Sequence, residues 1–339
     1  ILAARDGAVW IATRNGVARW RDEQLTMLGG HGVPLRLVQD AHGRIWVSTR
    51  SGVGYFDNDR FISLKSVPDG WVHAITVDAA GDLWMVHRSV TDPQFGMLKG
   101  VGLIRLRGGD QVEQIPWRRL GDSDRPPHSL AADPKGGIWL GLVKGGIAHF
   151  SNGKVRASYG ETDGLAKGDV WELRFDREGT LWVATGGGLS RLKNGRVATL
   201  TSKTGLPCHT DVVHWTIDDN LGSMWMYLDC GIVRVARTDI DALFTSLDED
   251  KSTYRRVHAT LFDNADGVWR STDGLFTPPP AAIAPDGRLW FSPGDGVSVL
   301  DPRRIPFNAL PPPVHIEQLT ADEQPHGAMN GLRLPPSIR

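Results

Sequence analysis

The side chains with chemical potential in this chain are scattered, and few of them fall into a catalytic spacing. No Gly-rich phosphate loop, no His-Glu-x-x-His and no Cys-x-x-Cys is present, which removes the common nucleotide, metalloprotease and dithiol readings. Of the 11 His, only His209 and His214 lie close together, and a separation of five residues does not bring both to one side of a strand. No metal ligand set and no cofactor is therefore expected. The only two cysteines, Cys208 and Cys230, flank a hairpin that turns near Asn220, so the spacing permits a disulfide, with two reduced, half-buried thiols as the alternative. What recurs instead is Asp-x-x-Gly-x-x-Trp, a turn followed by a large aromatic side chain. That element positions everything else.

Seven Trp residues carry Gly at minus three: Trp10, Trp46, Trp84, Trp139, Trp182, Trp225 and Trp290. Five copies place Asp three residues before that Gly (Asp40, Asp78, Asp133, Asp176 and Asp219), whereas the first and last put Asp beside it, at Asp6 and Asp286. Six copies have Gly six residues after the Trp, and in the copy of Trp84 the matching Gly102 is displaced by a 12-residue insertion. The Trp separations of 36, 38, 55, 43, 43 and 65 imply a period near 40 with two insertions. A four-stranded propeller blade and a two-helix repeat share that length. The segments around each Trp, such as Arg44-Ile45-Trp46-Val47-Ser48-Thr49, are short, β-branched or aromatic, and bounded by Gly, which favours strands and leaves no room for a ten-residue helix. Asn-Gly at 152–153 and 194–195 marks hairpins.

The expected fold is all-β: a seven-bladed β-propeller of four-stranded antiparallel blades over residues 1–308, with the Trp residues wedged between blades, and a C-terminal tail over 309–339. The first copy opens at its Trp strand without an inner strand of its own, so C-terminal or upstream residues are expected to supply one. The start Ile1-Leu2-Ala3 has neither Met nor a targeting signal and reads as the beginning of an excised piece. Composition agrees with repeated sheet: 40 Gly and 13 Trp against only 4 Tyr. A net charge of −1 argues against nucleic acid or an anionic membrane as partner. No apolar stretch is long enough to span a bilayer.

The repeat, written Gly-Leu-Pro … Asp-x-x-Gly-x-Leu-Trp-Val-x-Thr-x-x-Gly-Leu, resembles the two-component regulator propeller. The resemblance rests on Gly32-Val33-Pro34, Gly164-Leu165-Ala166 and Gly205-Leu206-Pro207 before inner strands, and on a closing blade from Asp273-Gly274-Leu275 to Asp301-Pro302. Pro311-Pro312-Pro313-Val314-His315-Ile316-Glu317 is similar to the opening of the three-tyrosine Ig-like domain that follows such propellers. The resemblance implies a periplasmic sensor of a histidine-kinase receptor, without catalysis in this piece. A saccharide or other small polar ligand, the downstream Ig-like, membrane and kinase domains, and a homodimer are its implied partners. Two alternatives stand beside it. The motif is similar to the sialidase Asp-box but with one residue more between Asp and Gly. A propeller lyase of the streptogramin type lacks a His–Glu arrangement that stands out from the repeat. A protein-interaction scaffold is the third reading.

In a propeller, the loops entering the inner strands and those leaving the Trp strands open on one face of the channel. From the entry side the candidate ligand-binding residues are Arg36, Trp71, His73, His128, Lys167, Asp169, His209 and Asp211, and from the exit side Arg14, Arg50, His87, Arg88, Lys144 and Asp229. Trp71 would stack on a sugar face while the charged groups bond hydroxyls. The insertion Arg88–Lys99 is expected to overhang this face, and the second insertion, 239–272 with its acidic run Asp248-Glu249-Asp250, to pack at the outer edge or on the opposite face.

Overall fold

The computed structural model describes residues 1–29, 32–89, 101–109, 111–120, 125–249, 256–268, 281–292, 296–305, 318–321 and 324–327, with the side chains of Arg88, Ser89, Val101, Arg118 and the last two segments left out. It divides into a unit of Ile1–Pro302 and a unit of Arg303–Arg339. The second contains a two-stranded antiparallel hairpin, Gln318–Ala321 with Gln324–Gly327. The sequence expected to open an Ig-like domain, 311–317, lies outside the described residues.

The first unit is a seven-bladed β-propeller. Blades 1 to 6 are four-stranded antiparallel meanders in chain order, and blade 7 has three described strands. The inner strands are Leu2–Ala3, Pro34–Gln39, Gly70–Val77, Pro127–Ala132, Val170–Phe175, Val213–Asp218 and Ala282–Ile283. Blade 1 corrects the sequence expectation. Leu2 and Ala3 pair with Trp10 and Val9, so the first copy has an inner strand of its own, too short to show a repeat pattern.

Each motif Trp is buried, and six of the seven, all but Trp225, cluster with residues of the next blade. Trp46 lies among Val72, Leu83 and Met85 of blade 3, and Trp84 among Ile138 and Leu140 of blade 4. Trp290 lies among Val9, Ile11 and Ala18 of blade 1, which joins last blade to first. The Asp fixes both turn and Trp. In blade 2, Asp40 Oδ1 accepts from the His42 and Arg44 amides at 2.9 and 3.0 Å, while Oδ2 accepts from Trp46 Nε1 at 2.9 Å. The same indole bond recurs at Asp78–Trp84, Asp133–Trp139, Asp176–Trp182 and Asp219–Trp225, at 2.7 to 2.9 Å. Gly43, at φ +89°, closes the turn in the left-handed region that a side chain avoids.

The second insertion departs from the all-strand expectation. It holds an α-helix, Arg237–Asp248, before the outer strand Ala259–Phe262 completes blade 6. Ile240, Leu243 and Phe244 are its buried face, and Phe244 meets Trp182 edge-on at 5.4 Å. The acidic run at its end is engaged in part, with Asp248 Oδ2 2.5 Å from Arg191.

Candidate functional site

The channel is built by a repeated irregularity. In blades 2 to 6 the register between inner and Trp strands slips by one residue, and the skipped residue lies five positions before the motif Asp: Leu35, His73, His128, Trp171 and His214. A bulge re-aims its side chain out of the sheet's regular alternation. The bulged rings line up from blade to blade. Centroids are 6.0 Å apart for His73–His128, 5.2 Å for His128–Trp171 and 5.7 Å for Trp171–His214.

Below this arc the next inner-strand position supplies Arg36, Ala74, Ser129, Glu172 and Trp215. Together with His128, Trp171 and His214 they line a cavity of about 170 Å³. Its polar equipment is specific. Glu172 Oε2 accepts from the Thr216 amide at 2.8 Å, bridging blades 5 and 6. Burial pushes the Glu172 carboxyl above its ordinary range, against the opposing pull of Arg174, the Thr216 amide and Arg36. Burial likewise lowers the Arg36 pKa, opposed by Glu172. Both side chains keep some surface open to the channel, so the two charges share a confined, poorly solvated space. Among the described residues, Trp171 Nε1, Trp215 Nε1 and His214 Nδ1 are buried atoms without a hydrogen-bond partner. Trp215 itself is only 2% exposed.

His214 is also held from behind. Its Nε2 lies 2.9 Å from Asp229 Oδ1, and Thr210 Oγ1 donates to Asp229 Oδ2 at 3.0 Å. A disulfide joins Cys208 to Cys230, with Cα atoms 5.6 Å apart, and ties the loop entering blade 6 to the loop leaving its Trp strand beside this pair. No group of three His, Cys, Asp or Glu that could hold a metal occurs among the described residues.

Of the sequence candidates, the cavity wall takes Arg36 and His128, and His73 joins its ring arc. These three belong to strands rather than entry loops. Asp229 reaches the channel through His214. Trp71 lies under the Arg50 guanidinium, 5.1 Å from its ring centre. His87 and Arg88 are not in an exit loop, because the insertion lengthens the strand to Leu83–Ser89. His87 is buried with Nε2 3.0 Å from the Pro68 carbonyl. Asp169 accepts from the Lys144 amide at 2.7 Å and Asp211 from the Ser202 amide at 2.5 Å, both bracing loops. Arg14, Lys144, Lys167 and His209 are exposed. Of the insertion expected to overhang the face, Arg88 and Ser89 extend the strand and 90–99 lie outside the described residues. Trp171, Glu172, His214 and Trp215 were not among the candidates. Their signal is positional: four and five residues before the Asp, the repeat changes residue type from copy to copy.

No family profile matches the chain. No curated protein matches it either. Solved structures do. Virginiamycin B lyase from Staphylococcus aureus superimposes with a TM-score of 0.56 at 14% identity, over 80% of this chain and 82% of that one. PorZ, a surface component of the type-IX secretion system of Porphyromonas gingivalis, gives 0.51 at 13%, over 87% and 49%. The extracellular domain assigned to a hybrid two component system of B. thetaiotaomicron gives 0.37 at 18%. The chain spans 43% of that last protein, matched over 88% of its own length. At these identities the fold is what is shared.

Proposed function

We propose that this chain is the ligand-binding module of an extracytoplasmic receptor, and that it captures a small polar ligand in the central channel. The observation that carries the reading is the cavity itself. It is walled by three rings re-aimed by successive bulges, His128, Trp171 and His214, and furnished with an Arg–Glu pair and indole donors that lack a partner. A flat polar ring such as a single saccharide matches this mixture of stacking surface and hydrogen-bonding groups. A volume of about 170 Å³ favours one ring over an oligosaccharide. The Cys208–Cys230 bond supports an oxidising compartment. Output through a downstream Ig-like domain, a membrane helix and a kinase, with a homodimer as the signalling unit, rests on the sequence resemblance.

A second reading is favoured by one feature. Asp229 orients His214 toward a channel that also holds Glu172, whose raised pKa is suited to proton transfer. The lyase named above shares the fold, and a propeller enzyme would use such a pair as acid and base. A thermal-shift screen against monosaccharides and small polar rings, with product analysis of every hit, separates the two. A ligand returned intact, with the shift lost in Trp171→Ala, supports the receptor. Turnover that disappears in Glu172→Gln supports the enzyme. Shifts that persist unchanged in both variants would place binding elsewhere and overturn both.

A further inference from the structure

The repeat carries its own template for a second site, independent of the channel. In four blades the motif carboxylate gathers an indole N–H and an Arg or His side chain on one oxygen. Asp40 Oδ2 accepts from Trp46 Nε1 at 2.9 Å and from Arg44 Nε at 2.7 Å. Asp176 Oδ2 accepts from Trp182 Nε1 at 2.9 Å and from Arg237 at 2.8 Å. Asp78 Oδ2 has Arg105 at 3.8 Å, and Asp133 Oδ2 has His149 at 3.3 Å, beside their Trp partners. Blade 7 keeps the donors and lacks the acceptor. Trp290 and Arg288 occupy the places of Trp46 and Arg44, but the position of Asp40 is Ala284. Trp290 is 5% exposed, and its Nε1 has no hydrogen-bond partner among the described residues. Arg288 lies over its ring at 5.9 Å, with Nε bound to Asp286 at 2.6 Å.

Blade 1 also lacks the Asp, having Ala4, and Trp10 Nε1 is likewise without a partner, but that side chain is packed against Ile45, Val47 and Phe56. Trp290 instead borders a cavity of about 270 Å³ at the seam between blades 7 and 1, whose walls include Ala284, Arg288, Trp20 and Arg21. We propose that this seam cavity binds an external carboxylate, which takes the place of the missing motif Asp by accepting from Trp290 Nε1 and from the terminal nitrogens of Arg288. The remainder of the ligand would be flat and apolar. Trp20 and Trp290 stand 5.9 Å apart at 50°, and a cavity of roughly 150 Å³ already admits a benzene ring. The rim selects a single negative charge. Arg21 is turned to Asp6 and Asp22, at 3.3 and 3.8 Å, and Asp22, Glu23 and Asp286 would repel a second carboxylate.

Thermal shift and quenching of Trp fluorescence, at constant ionic strength, test this with sodium benzoate, its neutral counterpart benzamide, and N-acetyl-aspartamide as a mimic of an acidic side chain. Benzoate should give a saturable rise in Tm that benzamide does not. A response to N-acetyl-aspartamide with none to benzoate would overturn the flat apolar ligand and assign the carboxylate to a protein segment instead. Arg288→Met should weaken the response about tenfold, or 1.4 kcal/mol. Ala284→Asp should raise the unliganded Tm and abolish the response, since the built-in carboxylate then fills the place. Equal responses to benzoate and benzamide, or an undiminished response in Arg288→Met or Ala284→Asp, would overturn the proposal. So would the absence of any carboxylate response. Because no channel residue is altered, failure here leaves the receptor reading standing, and failure of that reading leaves this one standing.

Discussion

In each of blades 2 to 6 one carboxylate does three jobs: it caps a turn, orients a wedge and satisfies a buried indole. Asp219 accepts from the Leu221 and Ser223 amides at 2.8 and 2.9 Å and from Trp225 Nε1 at 2.9 Å. Asp219→Ala strands that buried N–H and should lower unfolding stability by about 2–3 kcal/mol, seen as a reduced urea midpoint with an unchanged slope. The same bonds set a pH dependence. Burial would raise the carboxyls of Asp40 and Asp176, but hydrogen bonds from Trp46 and Arg44, and from Arg237 and Trp182, hold both below the ordinary range. A depressed folded pKa means the native state binds fewer protons than the unfolded chain. Its contribution is therefore complete above about pH 4 and is lost as pH falls through the folded values. Urea unfolding between about pH 2.5 and 6 should show this acid slope, shallower in Asp176→Asn. Glu172 runs the other way. Its raised pKa gives a contribution complete below the ordinary Glu value and lost as pH rises through the folded one, and Glu172→Gln should remove that opposing trend.

At the scale of the element, legibility follows how local the determinant is. Asp, Gly and Trp act within one turn and one strand, so their spacing fixed the blades on sight. The helix Arg237–Asp248 escaped because it lies inside an insertion, where no repeat spacing applies, and its stability comes from docking rather than propensity. Phe244 is fully buried against Trp182, under Arg191 at 4.7 Å. Phe244→Ala should cost about 3–5 kcal/mol, read as a lower urea midpoint. The channel was legible only in part for a related reason. A bulge is a property of two strands, and nothing in Trp171 or His214 alone announces that the register skips it. Arg36, His73 and His128 stand out in the sequence because they differ from the repeat near the open face, whereas Trp171 and Trp215 look like further core aromatics. The disulfide was legible as a pairing across a hairpin turn. It closes a separation of 22 residues, for which chain entropy assigns about 3 kcal/mol. Reduction should therefore lower Tm and, by loosening the loops beside Asp229, weaken any channel ligand that depends on His214.

For the whole molecule the open question is how a ring closes. Among the described residues no strand of one blade is hydrogen-bonded to a strand of another, so every junction, that of blades 7 and 1 included, is held by side chains and turns. Blades 7 and 1 meet by side-chain packing among the described residues: Ile1, Val9, Ile11 and Ala18 against Ala282, Ala284 and Trp290, with Trp20 alongside. Here the inner strands are shortest, two residues each in Leu2–Ala3 and Ala282–Ile283, and here both motif carboxylates are replaced by Ala. Contrast the junction of blades 5 and 6, where Arg174 bonds Thr216 and Asp218, Arg237 spans Asp176 and Asp218, and a helix covers the outer side. Packing without such an ion network or a helix cover gives the lower local opening free energy. Native-state hydrogen exchange should therefore show the amides of Val9–Thr13 and Leu289–Phe291 opening before those of Leu181–Thr185 and Ser223–Leu228. Ala284→Asp should slow exchange at the seam by restoring the indole bond, without changing the protection of blades 5 and 6. Uniform protection around the ring would refute a weak seam. Preferential opening there would identify the junction through which a ligand at the seam could tighten the whole propeller.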